Sequence, residues 1–328
     1  MRITPECDTI NSFIICNKPY IQTDPATVFN GNDFIVVWSD ARFTQGDYSW
    51  IVAARVTTSG LVLDSGYCVS TGNNQIESSP DIAFDDSRCL VVWYNYYPPY
   101  GVFGRFINSM AQPEDSIIFI APTLTNGNIN PRVEFDGSNY LVVWADRSAS
   151  STDFDVFGQL VSMYGELIGN KILIATGPEH QLFSDLNFDG NTYIIVWGQE
   201  PSTIFGQYLA TNGQLVGTNF RISENNSYYR SQPGIVTSNN SYFATWSEIR
   251  SNESDIYGHI DIHGLMEQGV SLINQPSNTM IITGPLPYEK NIKIYDILGR
   301  LIEPHFMGAG IYFIEKNGRI RSKVIKIK

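Results

Sequence analysis

Asp81, Arg132 and Asp185 stand at matching places in a segment that this chain of 328 residues writes several times, each directly after a proline or the residue in its place, and Glu134 follows Arg132 by two. Two carboxylates on either side of a sugar are the minimum for cleaving a glycosidic bond, one giving a proton and the other acting as nucleophile or base. Asp81, Glu134 and Asp185 are therefore candidates for that chemistry. The same side chains have a structural use: Asp81 and Asp185 flank Arg132 and can pair with it to hold neighbouring segments in register. A second candidate set lies after the tryptophans of the repeat. Asp40 with Arg42, Asp146 with Arg147, and Glu248 with Arg250 repeat an acid-then-arginine pair, and Tyr94, Tyr96, Tyr97 and Tyr100 offer aromatic faces of the kind that stack on sugar rings. These residues, with Arg132, are candidates for ligand binding. Their structural use is to cap loops and to pack on Pro98 and Pro99.

The elements that must position these groups follow from the repeat. Aligning on Trp38, Trp93, Trp144, Trp197 and Trp246 gives intervals of 55, 51, 53 and 49 residues, a period that marks a repeat architecture. Each copy offers four strand-like pieces. The first follows the proline ("PATVF", "PDIAF", "PRVEF", "SDLNF", "PGIVT"), and turns such as "DGSN" and "DGNT" then supply hairpin chemistry. The second is the apolar run ending in tryptophan, too continuous to be half exposed. The third reads "VFGRF", "VFGQL", "IFGQY" or "IYGHI", with a small-residue column at Gly104, Gly158, Gly206 and Gly258 and Ala54 in the first copy. The fourth follows at a constant 14 residues, at Cys68, Ile118, Ile172, Phe220 and Leu272. Four strands repeated at this period predict an all-β fold, a β-propeller of five four-stranded blades, whose first strands line a central channel and whose loops between second and third strands share one face. Residues 1–276 are assigned to it. The segment "SFIICN", Ser12 to Asn17, matches a fourth strand without the preceding three and could close the ring.

Composition narrows the function. A net charge of −12 argues against a nucleic-acid partner, and no apolar run reaches the length of a membrane-spanning helix. Four cysteines without C-x-x-C or zinc spacing predict no metal site, and no nucleotide fingerprint or nucleophile motif is present, so no cofactor is expected. His259 and His263 lie four apart on a predicted strand, where about 13 Å separates such residues, too far to share an ion. The "FDG" aspartates Asp136 and Asp189 are turn residues and lack calcium-loop spacing.

From Asn278 the character changes: nine Lys or Arg against four Asp or Glu give +5, leaving −17 for the rest. Residues 277–328 are assigned to a small C-terminal β-sandwich. Two resemblances accompany this organisation. Between Pro25 and Asn274 the units resemble a bacterial extracellular repeat family that reads P-x-φ-A-x-D-G, then φ-φ-V-W, then φ-Y-G-Q-x-φ, with φ apolar. The tail, with "IYDILGR", "GIYFIE" and "KVIKIK", resembles the C-terminal sorting domain of the type IX secretion system. That resemblance implies roles for Tyr295, Asp296, Gly299, Arg300, Gly310, Tyr312, Lys323, Lys326 and Lys328, and implies export to the cell surface or beyond through the secretion machinery. The N-terminal "MRITPECDTINSFIIC" shows no signal-peptide pattern.

The expectation drawn from the sequence is an exported, non-catalytic propeller that binds glycan or surface protein through its loop face. A secreted glycoside hydrolase using the inner carboxylates is the alternative. A structural surface or filament subunit, self-assembling through the surplus N-terminal strand, is the third.

Overall fold

The computed structural model describes residues 2–3, 9–46, 48–64, 66–70, 76–123, 129–147, 153–200, 202–224, 228–238, 241–250, 253–262, 279–282, 292–296, 300–303, 310–316 and 319–326. Two short strands, β1 (Arg2–Ile3) and β2 (Thr9–Asn11), pair with each other. Blade one is β3 (Gln22–Phe29), β4 (Asp33–Asp40), β5 (Trp50–Thr57) and β6 (Tyr67–Cys68). Blade two is β7 (Glu77–Phe84), β8 (Cys89–Asn95), β9 (Gly101–Ile107) and β10 (Ile118–Pro122). Blade three is β11 (Arg132–Phe135), β12 (Asn139–Arg147), β13 (Phe154–Ser162) and β14 (Leu167–Ala175). Blade four is β15 (Gln181–Phe188), β16 (Thr192–Gln199), β17 (Thr203–Ala210) and β18 (Leu215–Arg221). Blade five shows β19 (Tyr229–Ser238), β20 (Ser241–Arg250) and β21 (Glu253–Ile262), and the segment around Leu272 expected as its fourth strand lies outside the described residues. The fold is the five-bladed all-β propeller that the period predicts.

The turns close as their sequences require. Asp85, Asp136 and Asp189, with Asn30 in blade one, each accept two backbone N–H bonds from the residues two and three positions on, at 2.7–3.1 Å. The glycines Gly31, Gly137 and Gly190 take the left-handed backbone that follows. In blades one to four the apolar second strands are mostly buried because each is packed on both faces. One face of a blade meets the tryptophan face of the next: Ile35 and Val37 lie against Trp93, Val92 and Tyr94 against Trp144, Leu141 and Val143 against Trp197, and Ile194 and Val196 against Trp246.

The small-residue column is explained by the fourth strand. A Cβ on Gly158 would come within 2.9 Å of Ile174, and one on Gly206 within 2.7 Å of the Phe220 ring. In blade one the column falls one residue earlier than the sequence alignment places it. Ala53, not Ala54, pairs with the residue before the tryptophan and with Tyr67, as Gly104 pairs with Val92 and Ile118. Tyr67 thus replaces Cys68 as the fourth-strand mark, and the 14-residue offset is kept. Aligning Arg55 with Arg105 causes the slip, since blade one shifts its second and third strands by one residue relative to tryptophan.

Ser12 to Asn17 makes no ladder; Phe13, Ile15 and Cys16 instead pack against Trp38 and its neighbours on blade one. Cys16, Cys68 and Cys89 are free thiols, and Cys7 lies outside the described residues. The chain divides into two compact units, Met1–Ile260 and Asp261–Lys328. The described strands of the second, β22 (Thr279–Ile282), β23 (Ile292–Asp296), β24 (Gly310–Lys316) and β25 (Arg319–Lys326), form one sheet in the order β22-β25-β24-β23, with β22 parallel to β25. Tyr295 and Asp296 stand opposite Phe313 and Tyr312, and Lys323 and Lys326 lie on β25; Gly299 and Lys328 fall outside the described residues. Among the described residues no helix is long and apolar enough to cross a membrane.

Candidate active site

Four of the five inner strands are interrupted at the proline position, which Ser184 fills in blade four. The ladder between first and second strands skips between Thr23 and Ala26, Ser78 and Asp81, Leu182 and Asp185, and Ser231 and Gly234. Proline has no N–H to give to a ladder, so a bulge belongs there. Asp24, Ser79 and Gln232, each just before its proline, take φ of +53°. A bulge re-aims the side chains beside it, and the residue after it carries charge in blades two and four, Asp81 and Asp185, as Arg132 does at the matching place at the start of β11.

These residues and Glu134 line one cavity of about 400 Å³. Its walls are the inner strands of blades one to four, from Thr27–Phe29, Asp81–Phe84, Arg132–Phe135 and Asp185–Leu186. Each of these stretches is the half of its strand nearer the first hairpin turn. The loops between second and third strands leave from the opposite end, beyond Asp40, Asn95, Arg147, Gln199 and Arg250. The two sets of candidates are therefore not brought together.

Asp81 and Asp185 use one oxygen each as a stitch between blades. Asp81 Oδ2 accepts a 2.9 Å bond from the Val133 N–H, and Asp185 Oδ2 accepts one of 2.9 Å from the Ile235 N–H. Asn187, which the sequence reading passed over, does the same, accepting from the Thr237 N–H at 2.9 Å and the Thr237 hydroxyl at 2.6 Å. The ion pair anticipated with Arg132 is looser: Nε lies 4.0 Å from Asp185 Oδ1, and both side chains remain about a third exposed. Register is carried mainly by carboxylate-to-backbone bonds, and the second oxygen of Asp185 stays towards the arginine. Glu134 has no hydrogen bond or ion pair among the described residues.

Crowding three carboxyls into one recess shifts them. Burial pushes Glu134 up to about 7, helped by the charges of Asp81 and Asp185. Burial raises Asp81 to about 6 against the pull of Arg132 and of the Val133 N–H. Asp185 is raised by burial too, opposed by the Ile235 N–H and Arg132. All three carboxyls are raised, with arginine and backbone N–H groups opposing the shift at Asp81 and Asp185 but not at Glu134, so their environments differ in the way that separates an acid from a base.

The acid-then-arginine pairs face inward. Asp40 is fully buried and accepts from Trp38 Nε1 at 2.7 Å and from Arg42 Nε at 2.8 Å. Burial works against its charge, but the Arg42 hydrogen bonds win and hold the carboxyl below its ordinary range. Glu248 repeats this in blade five, taking bonds from Trp246 Nε1 at 3.0 Å and from Arg230 and Arg250 at 2.5 Å. Asp146 is buried and accepts from the Arg147 N–H at 2.8 Å, while the Arg147 guanidinium lies 5.0 Å from the Phe154 ring centre. Tyr94 is buried against Tyr96, ring centres 4.8 Å apart. Tyr97 is exposed, edge-on to Tyr48 at 6.1 Å, and Tyr100 is half-buried. In blades one and five what these pairs hold is the tryptophan two residues back. Among the described residues no group of three His, Cys, Asp or Glu is arranged to hold a metal ion.

No protein-family model and no curated relative matches the chain. Solved structures do. A thermostable family-43 glycoside hydrolase is similar at 9% identity and a TM-score of 0.45, over 73% of this chain and 88% of that one. The endo-arabinase of Bacteroides thetaiotaomicron is similar at 11% and 0.44, over 73% and 93%. The catalytic domain of the Coprinopsis cinerea GH62 alpha-L-arabinofuranosidase is similar at 12% and 0.44, over 73% and 89%. At these identities the likeness is one of fold, a five-bladed propeller of the kind found in glycoside hydrolases. The similar structures are enzymes by name, so the expectation of a chain that is not an enzyme is withdrawn; their likeness of fold assigns this chain no activity.

Proposed function

We propose that the chain hydrolyses glycosidic bonds in the channel cavity. One observation carries the proposal: three carboxylates from successive inner strands share a recess with a single arginine, and one of them, Glu134, keeps its proton to about pH 7. Glu134 is the general acid that protonates the leaving oxygen. Asp185, with one oxygen anchored by the Ile235 N–H and the other towards Arg132, is the partner that acts as base or nucleophile. Asp81 holds blade three in register and lends the charge that keeps Glu134 protonated. The cavity is within the size range of small-ligand sites, roughly 300–1,000 Å³.

The test is release of reducing sugar, or of nitrophenol from aryl pentosides and hexosides, by the full chain. Glu134→Gln is expected to lower turnover by about 10²–10⁴, the usual contribution of a positioned general acid, and Asp185→Asn to lower it on substrates with good and poor leaving groups alike. Hydrolysis by the wild type that survives Glu134→Gln and Asp185→Asn unchanged sinks the assignment. We further propose that the basic C-terminal unit directs export; the support is the order of its three sorting-like motifs.

A further inference from the structure

The fifth blade leaves apolar surface open that the other four bury. Ile256 is 76% exposed, Ile260 53%, Phe243 42% and Val236 53%. The residues at the Ile256 position elsewhere, Ile51, Val102, Val156 and Ile204, are wholly buried, and those at the Phe243 position, Ile35, Leu90, Leu141 and Ile194, are at most 1% exposed. Across the same gap blade one is open at Phe34, 40% exposed, where Cys89, Tyr140 and Tyr193 are closed. No strand pairs with the outer edge of β21 among the described residues.

Residues 13–16 meanwhile sit where an outer strand belongs. In blades one to four the fourth strand sets two side chains on the tryptophan cluster of the next blade: Tyr67 and Val69 by Trp93, Ile118 and Ile120 by Trp144, Ile172 and Ile174 by Trp197, Phe220 and Ile222 by Trp246. Phe13 and Ile15 do the same at Trp38. Ile14 between them points outward, 71% exposed, as Phe119 and Leu173 do at 44% and 45%.

We infer that residues 12–17 are the outer strand of blade five, and that the ring closes when β21 pairs with this segment. The other blades fix the register. Gly104 stands opposite Ile118, Gly158 opposite Ile172 and Gly206 opposite Phe220; two residues earlier on the third strand, Val102 meets Ala121 and Val156 meets Ala175. Transferred to blade five, Phe13 stands opposite Gly258 and Cys16 opposite Ile256. Closure lays the open face of blade five on the tryptophan face of blade one and removes an exposed sheet edge. It also gives the cavity, walled here by blades one to four, its fifth wall. This inference does not depend on the hydrolase assignment.

A single substitution tests it, because the partner thiol is native. In the full chain Ile256→Cys, oxidised with diamide, a disulfide from Cys16 to position 256 within one molecule is expected on non-reducing peptide mapping, and Cys16→Ser abolishes it. No such bond, or the same bond between two molecules, overturns closure by the chain's own segment; the second result would assign the edge to another copy. A measurement without new cysteines stands beside it. Amide exchange at Ile256 and Ile260 in the wild type is expected to be at least about tenfold slower than in Phe13→Asp. Equal exchange in the two proteins overturns the inference.

Discussion

Glu134 is pushed up to about 7 from an ordinary 4.5 by burial and by the charges of Asp81 and Asp185, and this acts on folding as well as on chemistry. Below about pH 4.5 the folded and unfolded chains both hold the proton, and the group is neutral to stability. Between there and pH 7 the unfolded chain releases it while the folded chain keeps it, so rising pH draws the equilibrium towards unfolding, and the loss is complete above 7. Glu134→Gln, which cannot ionise, is expected to match the wild type in Tm at pH 4 and to exceed it at pH 8. Equal Tm values at both pH values would mean that the carboxyl titrates normally. Asp81, Glu134 and Asp185 were legible in the sequence because period alone brings them together. The inward turn of Asp40 and Glu248 was not, since a pair at a strand end looks the same whether it faces solvent or the tryptophan two residues back.

At the scale of elements the repeat was read nearly whole: four strands, Asx turns, a buried second strand and a small-residue column all follow from local pattern. The one-residue slip in blade one escaped because Arg55 and Arg105 align in sequence while their hairpins pair differently. The end of the channel at which the carboxylates lie also escaped, since the bulges beside Asp81 and Asp185 are not written in the period. The column gives an element-level test. Gly206→Val places a Cβ within 2.7 Å of the Phe220 ring, and overpacking of this kind costs about 1–3 kcal/mol. Chemical unfolding should show that loss, with Phe220→Ala in the same chain restoring part of it. A Gly206→Val protein as stable as the wild type would mean that the glycine is not there to admit the fourth strand.

For the whole molecule, the propeller supplies what a set of loops could not, four inner strands that converge on one recess with backbone bonds running from blade to blade. The acidic propeller and the basic tail differ in charge, −17 against +5. If the tail is an export signal, residues 277–328 fused to a reporter should carry it to the surface of a bacterium that has type IX machinery; an intracellular reporter would leave the tail as a structural appendage. The central claim is about the cavity, and the dependence of kcat/KM on pH tests it most directly. With Glu134 as the acid, the profile should fall above about pH 7, and Glu134→Gln should lose that upper limb along with most of the activity. A profile whose upper limb persists in Glu134→Gln would place the proton donor elsewhere and contradict the account.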